Sequence, residues 1–362
     1  MLVKHSSWAG RRVLVTGHTG FKGGWLSLWL HALGAEVTGF SLPPATEPSF
    51  FEQTRLRDLV THIEGDVRDL ESVRAAVRDC RPEVVFHLAA QPLVRLSYDQ
   101  PVETYATNVM GTVHVLEACR DVPELRAVIC VTSDKCYENR EWIWPYRESD
   151  PMGGHDPYSS SKGAAEIAVS AYRRSFFQTG PRIGSVRAGN VIGGGDWADD
   201  RLIPDIVRAL LADEQPQIRN PNSIRPWQHV LDALSGYLLV AEQLLKGRDE
   251  IACGWNFGPS DEDTRPVGWI VERMIGEWGS GATWQQPDGL QPHEAVLLKL
   301  DCSKARSELG WHPRLRLEDA LRNVIDWHKQ VAQGVDPRVI SLRQIAKYEG
   351  WNDSVTGEAK AA

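Results

Sequence analysis

The chain has 362 residues, of which 42% are hydrophobic and 24% charged, with a formal net charge of −8. This length favours one large domain with a smaller one attached. The negative balance leaves no clustered basic surface and argues against nucleic acid as a partner. No stretch approaches roughly 18 uncharged apolar residues, and residues 1–12 have no apolar signal core. We therefore expect neither a membrane span nor export.

The cysteines are far apart in the sequence and form no CxxC pair. Such residues usually behave as small hydrophobic side chains rather than as metal ligands or disulfides. We expect reduced thiols, a cytoplasmic protein and no metal site. The six are Cys80, Cys119, Cys130, Cys136, Cys253 and Cys302.

From residue 11 to residue 187, short β-branched runs alternate with amphipathic stretches. This alternation is typical of βαβ units and of a parallel sheet covered by helices on both faces. We predict an α/β fold with a doubly wound parallel-sheet Rossmann domain. The predicted strands are 12–16, 36–41, 62–64, 84–89, 127–132 and 183–187, and the predicted helices between them are 25–33, 70–80, 104–119 and 160–177.

After residue 187 the pattern changes to Gly-rich and Pro-rich segments, which are separated by predicted helices at 202–211 and 231–245. We predict a nucleotide-binding domain at 1–189, rejoined by about 225–258. A smaller, discontinuous substrate-binding domain is predicted at 190–224 and 259–345. Residues 346–362 are predicted to form a tail.

A glycine-rich loop joins the first predicted strand to the first predicted helix. Its sequence, GHTGFKG, has GxxGxxG spacing. Glycines allow the backbone to turn tightly and to approach a pyrophosphate, whose charge is met by N–H groups at the helix start. Taken alone, the loop could equally be a tight turn that binds no cofactor. The residues predicted to contact a dinucleotide are Gly17, Thr19, Gly20, Phe21, Lys22 and Gly23.

Two polar segments later in the chain are candidates for catalysis. Tyr158 and Lys162 form a YxxxK pair, which a helix places one turn apart on one face. A cation at that distance, together with a positive nicotinamide, lowers the pKa of the phenol and favours phenolate. Ser133, Asp134 and Lys135 follow the fifth predicted strand, at the edge where open α/β sheets bind ligands. The alternatives are surface polarity for the YxxxK pair and solvated loop charges for Asp134 and Lys135.

The order of these motifs along nearly the whole chain resembles the nucleotide-sugar epimerases and dehydratases of the extended short-chain dehydrogenase/reductase family. The resemblance implies NAD, a small-molecule nucleotide sugar as substrate, and a homodimer through apolar helix faces at 109–116 and 164–172. One position departs from the family, because Phe40-Ser41-Leu42 replaces the acid that usually binds the adenosine ribose. No Arg or Lys stands there either, so this position does not decide between NAD and NADP.

Asp134 followed by Lys135 resembles the 4,6-dehydratases, in particular those acting on a cytidine diphosphate sugar, whereas 4-epimerases carry small or neutral residues there. In that chemistry Tyr158 takes the C4 hydroxyl proton while NAD accepts hydride. Asp134 is then the acid at the C6 hydroxyl, and Lys135 stands where the base at C5 is needed. Asp134 must be protonated and Lys135 neutral. The alternative for Lys135 is that it orients a water or stabilises the enolate.

The resemblance assigns further contacts along the chain. In the family, an Asp in the segment that Asp66 and Asp69 resemble contacts the adenine amino group of the cofactor. The alternative for each of the two is that it caps the next helix. His87 is expected to be structural, and the guanidinium of Arg225 suits a diphosphate. The further cofactor contacts are Ser41, Asp66, Val67, Leu88, Ala89 and Ala90, beside Tyr158 and Lys162; the substrate contacts are Gln91, Asn108, Asn190, Arg201, Arg225 and His293.

Three other functions stay open at the level of the sequence. A 4,6-dehydratase of a dTDP or GDP sugar is opposed only by the family resemblance. A 4-epimerase is opposed by Asp134 and Lys135. A non-catalytic, nucleotide-sensing protein would be expected to lose the Tyr or the Lys of the catalytic pair, and this chain keeps Ser133, Tyr158 and Lys162.

Overall fold

The computed structural model describes residues 7–279, 281–287 and 298–350. Eleven strands occur in this part of the chain. They are β1 (Arg12–Thr16), β2 (Glu36–Ser41), β3 (Thr61–Glu64), β4 (Val84–His87), β5 (Ala127–Val131), β6 (Arg182–Ala188), β7 (Asn190–Ile192), β8 (Ile224–Arg225), β9 (Trp227–His229), β10 (Gly254–Phe257) and β11 (Arg265–Pro266).

Seven of the strands form one parallel sheet with the order β10-β6-β5-β4-β1-β2-β3. Every residue of β4 and β5 is buried, as expected for central strands covered on both faces. The predicted α/β doubly wound fold is confirmed. The remaining strands form two small pairs, a parallel β7–β9 pair and an antiparallel β8–β11 pair.

Helices cover both faces of the sheet. One face packs against α1, α9 and α12, and the other against α3, α6 and α7. The helices of the described residues are α1 (Phe21–Ala32), α2 (Phe50–Gln53), α3 (Leu70–Cys80), α4 (Val94–Asp99), α5 (Pro101–Tyr105), α6 (Gly111–Ala118), α7 (Pro157–Ser175), α8 (Leu202–Leu211), α9 (Val230–Leu245), α10 (Val267–Trp278), α11 (Leu317–Ala332) and α12 (Pro337–Glu349).

Several predicted boundaries differ from the structure for local reasons. The predicted helix 104–119 is divided, because a π-helical turn at Ala106–Met110 separates α5 from α6. The predicted strand 84–89 ends at His87, since the chain there leaves the sheet. Helix α7 begins three residues before the predicted start, because Asp156 caps its first turn and Pro157 occupies the first helical position.

A second hydrophobic cluster lies outside the sheet. It joins α8, α10 and α11 around Ile206, Ile270 and Leu321, all fully buried. The last helix packs on the core, where Tyr348 lies edge-on to Trp29. Residues 346–349, expected in a tail, are therefore the last turn of α12, which ends at a left-handed glycine. No helix of the described ranges is long and apolar enough to cross a membrane.

Candidate active site

A cavity of about 1760 Å³ opens at the carboxyl edge of the sheet. Its volume exceeds the roughly 300–1,000 Å³ typical of a pocket for one small molecule, so two ligands have room side by side. The predicted residues that line it are Gly17, Thr19, Gly20, Phe21, Lys22, Gly23, Ser41, Asp66, Val67, Leu88, Ala89, Ala90, Ser133, Asp134, Lys135, Tyr158, Lys162, Asn190, Arg201 and Arg225.

The glycine loop between β1 and α1 is held by close backbone contacts. Gly17 has φ +75°, and a Cβ there would lie 2.7 Å from the backbone nitrogen of Ala89. A Cβ on Gly23 would lie 2.1 Å from the carbonyl oxygen of Gly17. These two positions therefore require glycine for the loop to close against the start of the helix.

The loop leads into a helix start that suits an anion. Gly20 is the N-cap residue of α1 and provides no side-chain cap, and the first turn contains no acidic residue. Its backbone N–H groups are thus available to a phosphate. The Thr19 hydroxyl donates to the carbonyl oxygen of Leu42 at 2.9 Å and lies 2.8 Å from the Ser41 hydroxyl, which ties the loop to the end of β2.

The two aspartates after β3 have different surroundings. Asp69 caps α3, since its Oδ1 accepts from the backbone N–H groups of Glu71 and Ser72. Asp66 lines the cavity, and its carboxylate accepts from the backbone and the guanidinium of Arg68. Hydrogen bonding to Arg68 lowers the pKa of Asp66. Capping thus accounts for Asp69, while Asp66 keeps an anionic carboxylate at the cavity wall.

Tyr158 and Lys162 project from the first turns of α7, and both are almost completely buried. Burial raises the pKa of Tyr158 to about 12, and hydrogen bonding with Ser133 offsets part of that effect. Burial, and then the positive charge of Lys22, lower the pKa of Lys162 to about 7. In the chain alone, the shift of the phenol is therefore opposite to the sequence-based expectation, because the loss of hydration outweighs the nearby cations.

A short 3₁₀ turn at Asp134–Cys136 follows β5 and carries the second candidate catalytic segment. The Ser133 hydroxyl caps this turn by accepting from the backbone N–H of Lys135 and donates to Oδ1 of Asp134 at 3.0 Å. Burial raises the pKa of Asp134, as the sequence predicted for an acid. Its Oδ2 is buried without a hydrogen-bond partner among the described residues. Lys135 is only half-buried.

Lys22 brings a further amine into the same cluster. Its pKa is lowered to about 8, first by burial and then by the charge of Arg201. The charges of Asp134 and Asp196 raise the pKa of Lys22 and so offset part of this effect. Lys22 in turn lowers the pKa of Lys162. The charge of Lys22 therefore affects the pKa values of the candidate catalytic groups.

The residues predicted to contact the diphosphate or sugar of the substrate line the same cavity. Arg201 pairs with buried Asp196 at 3.1 Å, and the charge of Arg225 lowers the pKa of Asp134, which places both guanidinium groups near the catalytic segment. Gly189 borders Asp134 so closely that a Cβ would lie 2.9 Å from its Oδ2. Asn190 follows this glycine and is half-buried at the cavity wall.

Two predicted substrate contacts, Gln91 and Asn108, do not line the cavity. The side chain of Gln91 is bonded to Leu93 and Thr104. Asn108 is buried; its amide oxygen accepts from the backbone N–H of Gln91, and its nitrogen donates to Ser161 at 2.9 Å. Its hydrogen-bonding capacity is thus used within the protein, where it fixes the loop after β4 against α7. His87 is bonded through both ring nitrogens, to Thr16 and Thr112, as a structural histidine is. His293 lies outside the described residues.

Other cavity residues were not found by reading the sequence. Asp196 was missed, although it lies in the Gly-rich segment GGGDW, and so was the wall at 217–220, within the Asn- and Pro-rich segment before Arg225. Only the abundance of turn-forming residues marked these segments. Within the described ranges there is no group of three or more His, Cys, Asp and Glu side chains placed to hold a metal ion.

Comparison with known proteins agrees with this geometry. A family model described as GDP-mannose 4,6 dehydratase matches residues 14–324. The chain is 56% identical over 353 residues, which are 96% of this chain and 98% of the relative, to the CDP-glucose 4,6-dehydratase of Salmonella typhimurium strain LT2. It is 26% identical to the dTDP-glucose 4,6-dehydratase of Haemophilus influenzae, over 87% of this chain and 97% of that protein.

Solved structures share the fold at low sequence identity. The UDP-glucose 4-epimerase of Thermotoga maritima with UDP-glucose superimposes with a TM-score of 0.77 at 22% identity, covering 88% of this chain and 99% of that one. The dTDP-glucose 4,6-dehydratase of Bacillus anthracis in complex with NAD gives 0.74 at 20% identity, covering 91% and 100%. With the family model and the close relative, these findings establish that the chain belongs to the GDP-mannose 4,6-dehydratase family of extended short-chain dehydrogenases/reductases.

Proposed function

We propose that the protein is a CDP-glucose 4,6-dehydratase, which removes water from CDP-glucose to give CDP-4-keto-6-deoxyglucose. The observation that carries the proposal is the Ser133–Lys135 turn, where a buried carboxyl with a raised pKa stands beside a lysine. A 4-epimerase needs no acid and base pair for elimination, whereas a dehydratase does. The 56% identity to a CDP-glucose 4,6-dehydratase over almost the full length of both proteins supports the choice of reaction and of nucleotide.

The cavity fits a dinucleotide beside the sugar nucleotide. The uncapped start of α1 suits the pyrophosphate, and the absence of a cap or an acid in its first turn leaves N–H groups for it. Gly17 and Gly23 keep the backbone close enough for that contact. These residues would hold NAD, which would supply an acceptor for the hydride from C4 and a donor of hydride to C6. Solved relatives named as complexes with NAD support this cofactor over NADP.

The first step is assigned to the helix-borne pair. Tyr158 takes the proton of the C4 hydroxyl, and Ser133 holds the phenol by a hydrogen bond. Lys162, with its pKa near 7, supplies a nearby group that changes charge close to neutral pH. The sugar leaves this step with a ketone at C4, which acidifies the proton at C5.

The elimination is assigned to the turn after β5. Asp134 donates a proton to the C6 hydroxyl, which leaves as water, and Lys135 removes the proton at C5. The raised pKa of Asp134 supports the role of an acid, because burial keeps its proton on the carboxyl. Lys135 lies on the cavity wall one residue later in the same turn. After hydride returns to C6, a proton is restored at C5.

The sugar nucleotide is assigned to the part of the cavity that is lined by residues following β6. Arg201 and Arg225 provide guanidinium forks for the diphosphate, and Asn190 provides an amide near the sugar. We assign the cofactor domain to residues 1–189 with 225–258, and the substrate domain to 190–224 and 259–345. The separate hydrophobic cluster of α8, α10 and α11 supports that division.

The proposal includes a homodimer and a cytoplasmic location, as expected for an enzyme of deoxysugar biosynthesis that supplies O-antigen lipopolysaccharide. Apolar side chains are exposed on the segments assigned to the dimer contact, 109–116 and 164–172, among them Met110 and Ile167. The cysteines are free thiols, which supports a reducing compartment. These assignments rest on exposed apolar surface and redox state.

Incubation with CDP-glucose, dTDP-glucose and UDP-glucose tests the proposed function. We expect mass spectrometry to show the loss of one water from CDP-glucose only. Loss from dTDP-glucose or UDP-glucose instead would keep the reaction and overturn the nucleotide. Isomerisation of any sugar without loss of mass would assign the chain to the 4-epimerases.

A further inference from the structure

A buried ion pair lies directly behind the catalytic helix. Glu166 follows Lys162 by one turn of α7 and Tyr158 by two, so the three side chains share one face of the helix. Its carboxylate is bound in fork geometry by Arg187 of β6, through Nε at 2.9 Å and Nη2 at 2.8 Å. Both side chains are 5% exposed. Burying two charges costs free energy, so such a pair adds little to the stability of the fold by itself. A role in holding other residues in place is therefore worth examining.

The Glu166–Arg187 pair is hydrogen-bonded to the residue that precedes the Ser133–Lys135 segment. Thr132, the residue before Ser133, donates its hydroxyl to Oε1 of Glu166 at 2.5 Å. Ser185 donates to Oε2 at 2.8 Å. The carboxylate thereby joins α7 to the end of β5 at the point where the Ser133–Lys135 segment begins.

The pair is also hydrogen-bonded to a residue that follows the Ser133–Lys135 segment. Tyr137, two residues after Lys135, accepts a hydrogen bond from Nη1 of Arg187 at 2.7 Å. The Tyr137 hydroxyl in turn donates to Oδ1 of Asn256 on β10, also at 2.7 Å. Arg187 reaches the carbonyl oxygen of Glu148 as well, at 3.3 Å. The guanidinium therefore fixes the position at which the Ser133–Lys135 segment ends.

We propose that Glu166 and Arg187 form a positioning pair that sets the turn carrying Asp134 and Lys135 against the helix carrying Tyr158 and Lys162. This inference rests on the proposed function, in which the helix performs oxidation and the turn performs elimination. The same sugar ring must serve both sets of groups, so their relative placement controls the second step. A displacement of about 1 Å can reduce a rate by about a hundredfold.

The carboxylate also acts on the charge of Lys162. Glu166 raises the pKa of Lys162, against burial and Lys22, which lower it. Removing the negative charge of Glu166 is therefore expected to move the pKa of Lys162 below about 7. Lys162 also interacts electrostatically with Cys130, Cys136 and His87, all of which are buried.

Three variants separate positioning from simple stability. Thr132→Val keeps the shape of the side chain and removes its bond to Glu166, and Tyr137→Phe removes the bond to Arg187. Glu166→Gln keeps the size of the side chain and removes the charge. The control is Glu83→Gln, which breaks the Arg11–Glu83 pair of 2.9 Å at the opposite, amino edge of the sheet.

The expected result is a kcat for water loss that falls roughly ten- to a hundredfold in Thr132→Val and Tyr137→Phe, with KM nearly unchanged. Reduced cofactor should accumulate, because oxidation outpaces elimination. Hydrogen exchange in substrate-free protein should quicken at residues 133–137 in both variants. For Glu166→Gln, the pH profile should also shift its Lys162 limb to lower pH. Glu83→Gln should lower only the thermal midpoint.

Unchanged kcat per folded enzyme and unchanged exchange at residues 133–137 in Thr132→Val and Tyr137→Phe would overturn the inference, even if Glu166→Gln failed to fold. The proposed function is tested separately by the unaltered protein. If that protein does not dehydrate CDP-glucose, the proposed function fails. The exchange measurement, which needs no substrate, then still decides whether the pair holds the turn.

Discussion

The Ser133 hydroxyl binds one oxygen of the Asp134 carboxyl at 3.0 Å, and the other oxygen of that carboxyl is buried without a partner among the described residues. The first contact fixes the orientation of the carboxyl group. The second oxygen carries an unmet capacity for hydrogen bonding, which is costly in a buried position. A protonated Asp134 reduces that cost by removing its charge, in agreement with its raised pKa.

Asp134→Asn tests the acid directly. Asparagine keeps the size of the side chain and can accept from Ser133, but it cannot give up a proton at C6. We expect the oxidation at C4 to continue while the elimination slows by roughly 10²–10⁴-fold. Rapid-quench mass spectrometry would follow water loss, and cofactor absorbance would follow oxidation. In the unaltered protein, elimination should decline as pH rises through the raised pKa of Asp134. Normal water loss by Asp134→Asn would exclude the role of an acid.

Lys135→Ala is expected to permit oxidation at C4 and to stall elimination, because the base at C5 is missing. Exchange of the C5 proton with solvent deuterium should cease together with water loss. Both are measured by mass spectrometry of recovered sugar nucleotide. The assignment would be contradicted if this variant formed no reduced cofactor in a single turnover, since the lysine would then act before elimination.

Tyr158→Phe is expected to abolish hydride transfer while leaving the fold intact, since only the phenol oxygen is lost. The proton of the C4 hydroxyl then loses the acceptor that the proposed function assigns to it. Single-turnover absorbance should show no reduced cofactor at any pH, and calorimetric titration should still detect binding of the sugar nucleotide. Substantial reduction of the cofactor by this variant would show that another group takes the proton.

Lys22→Met is expected to raise the pKa of Lys162 above about 7, because the charge of Lys22 disfavours a second ammonium nearby. The effect should be present below pH 8, where Lys22 itself carries its proton. NMR titration of labelled lysine side chains would measure it. Lys22→Arg retains the charge and serves as the matched control. Identical titrations of Lys162 in both variants would show that the two amines do not interact.

Gly23→Ala is expected to destabilise the glycine loop, because the new methyl carbon would lie 2.1 Å from the carbonyl oxygen of Gly17. We expect the free energy of unfolding to fall by about 1–3 kcal/mol. Gly20→Ala is the matched control: its nearest contact is 3.4 Å and its φ is −79°, so no clash arises, and only the smaller cost of a poorer N-cap residue is expected. Equal denaturation midpoints for the two variants would contradict the packing described for the loop.

Much of the fold was predictable because its signals are local. Alternating runs marked the parallel strands, and β1 and β2 begin and end at the predicted residues. Ser133 and Tyr158 lie at the same edge of the sheet, because the loops that follow parallel strands all lie at the carboxyl ends of those strands. The division of helix 104–119 was missed, since a π-helical turn leaves no distinct pattern of apolar residues.

The electrostatics of the site were harder to predict, because they depend on contacts between distant segments. The pKa of Tyr158 is raised by burial from the whole surrounding chain, which no motif encodes. Lys22 and Lys162 interact across 140 positions of the sequence, and their mutual effect arises only because the first turns of α1 and α7 meet at one cavity. The family resemblance predicts that Asn108 contacts the substrate, whereas its partners in the structure are Gln91 and Ser161.

The most direct test of the central claim follows one deuterium through the reaction. CDP-glucose carrying deuterium at C4 is converted in ordinary water, and the product is analysed by NMR and mass spectrometry. If the protein is a 4,6-dehydratase that returns the same hydride, the product has lost one water and carries the deuterium at C6. Deuterium retained at C4 with inverted configuration, and no loss of water, would contradict the account and identify a 4-epimerase.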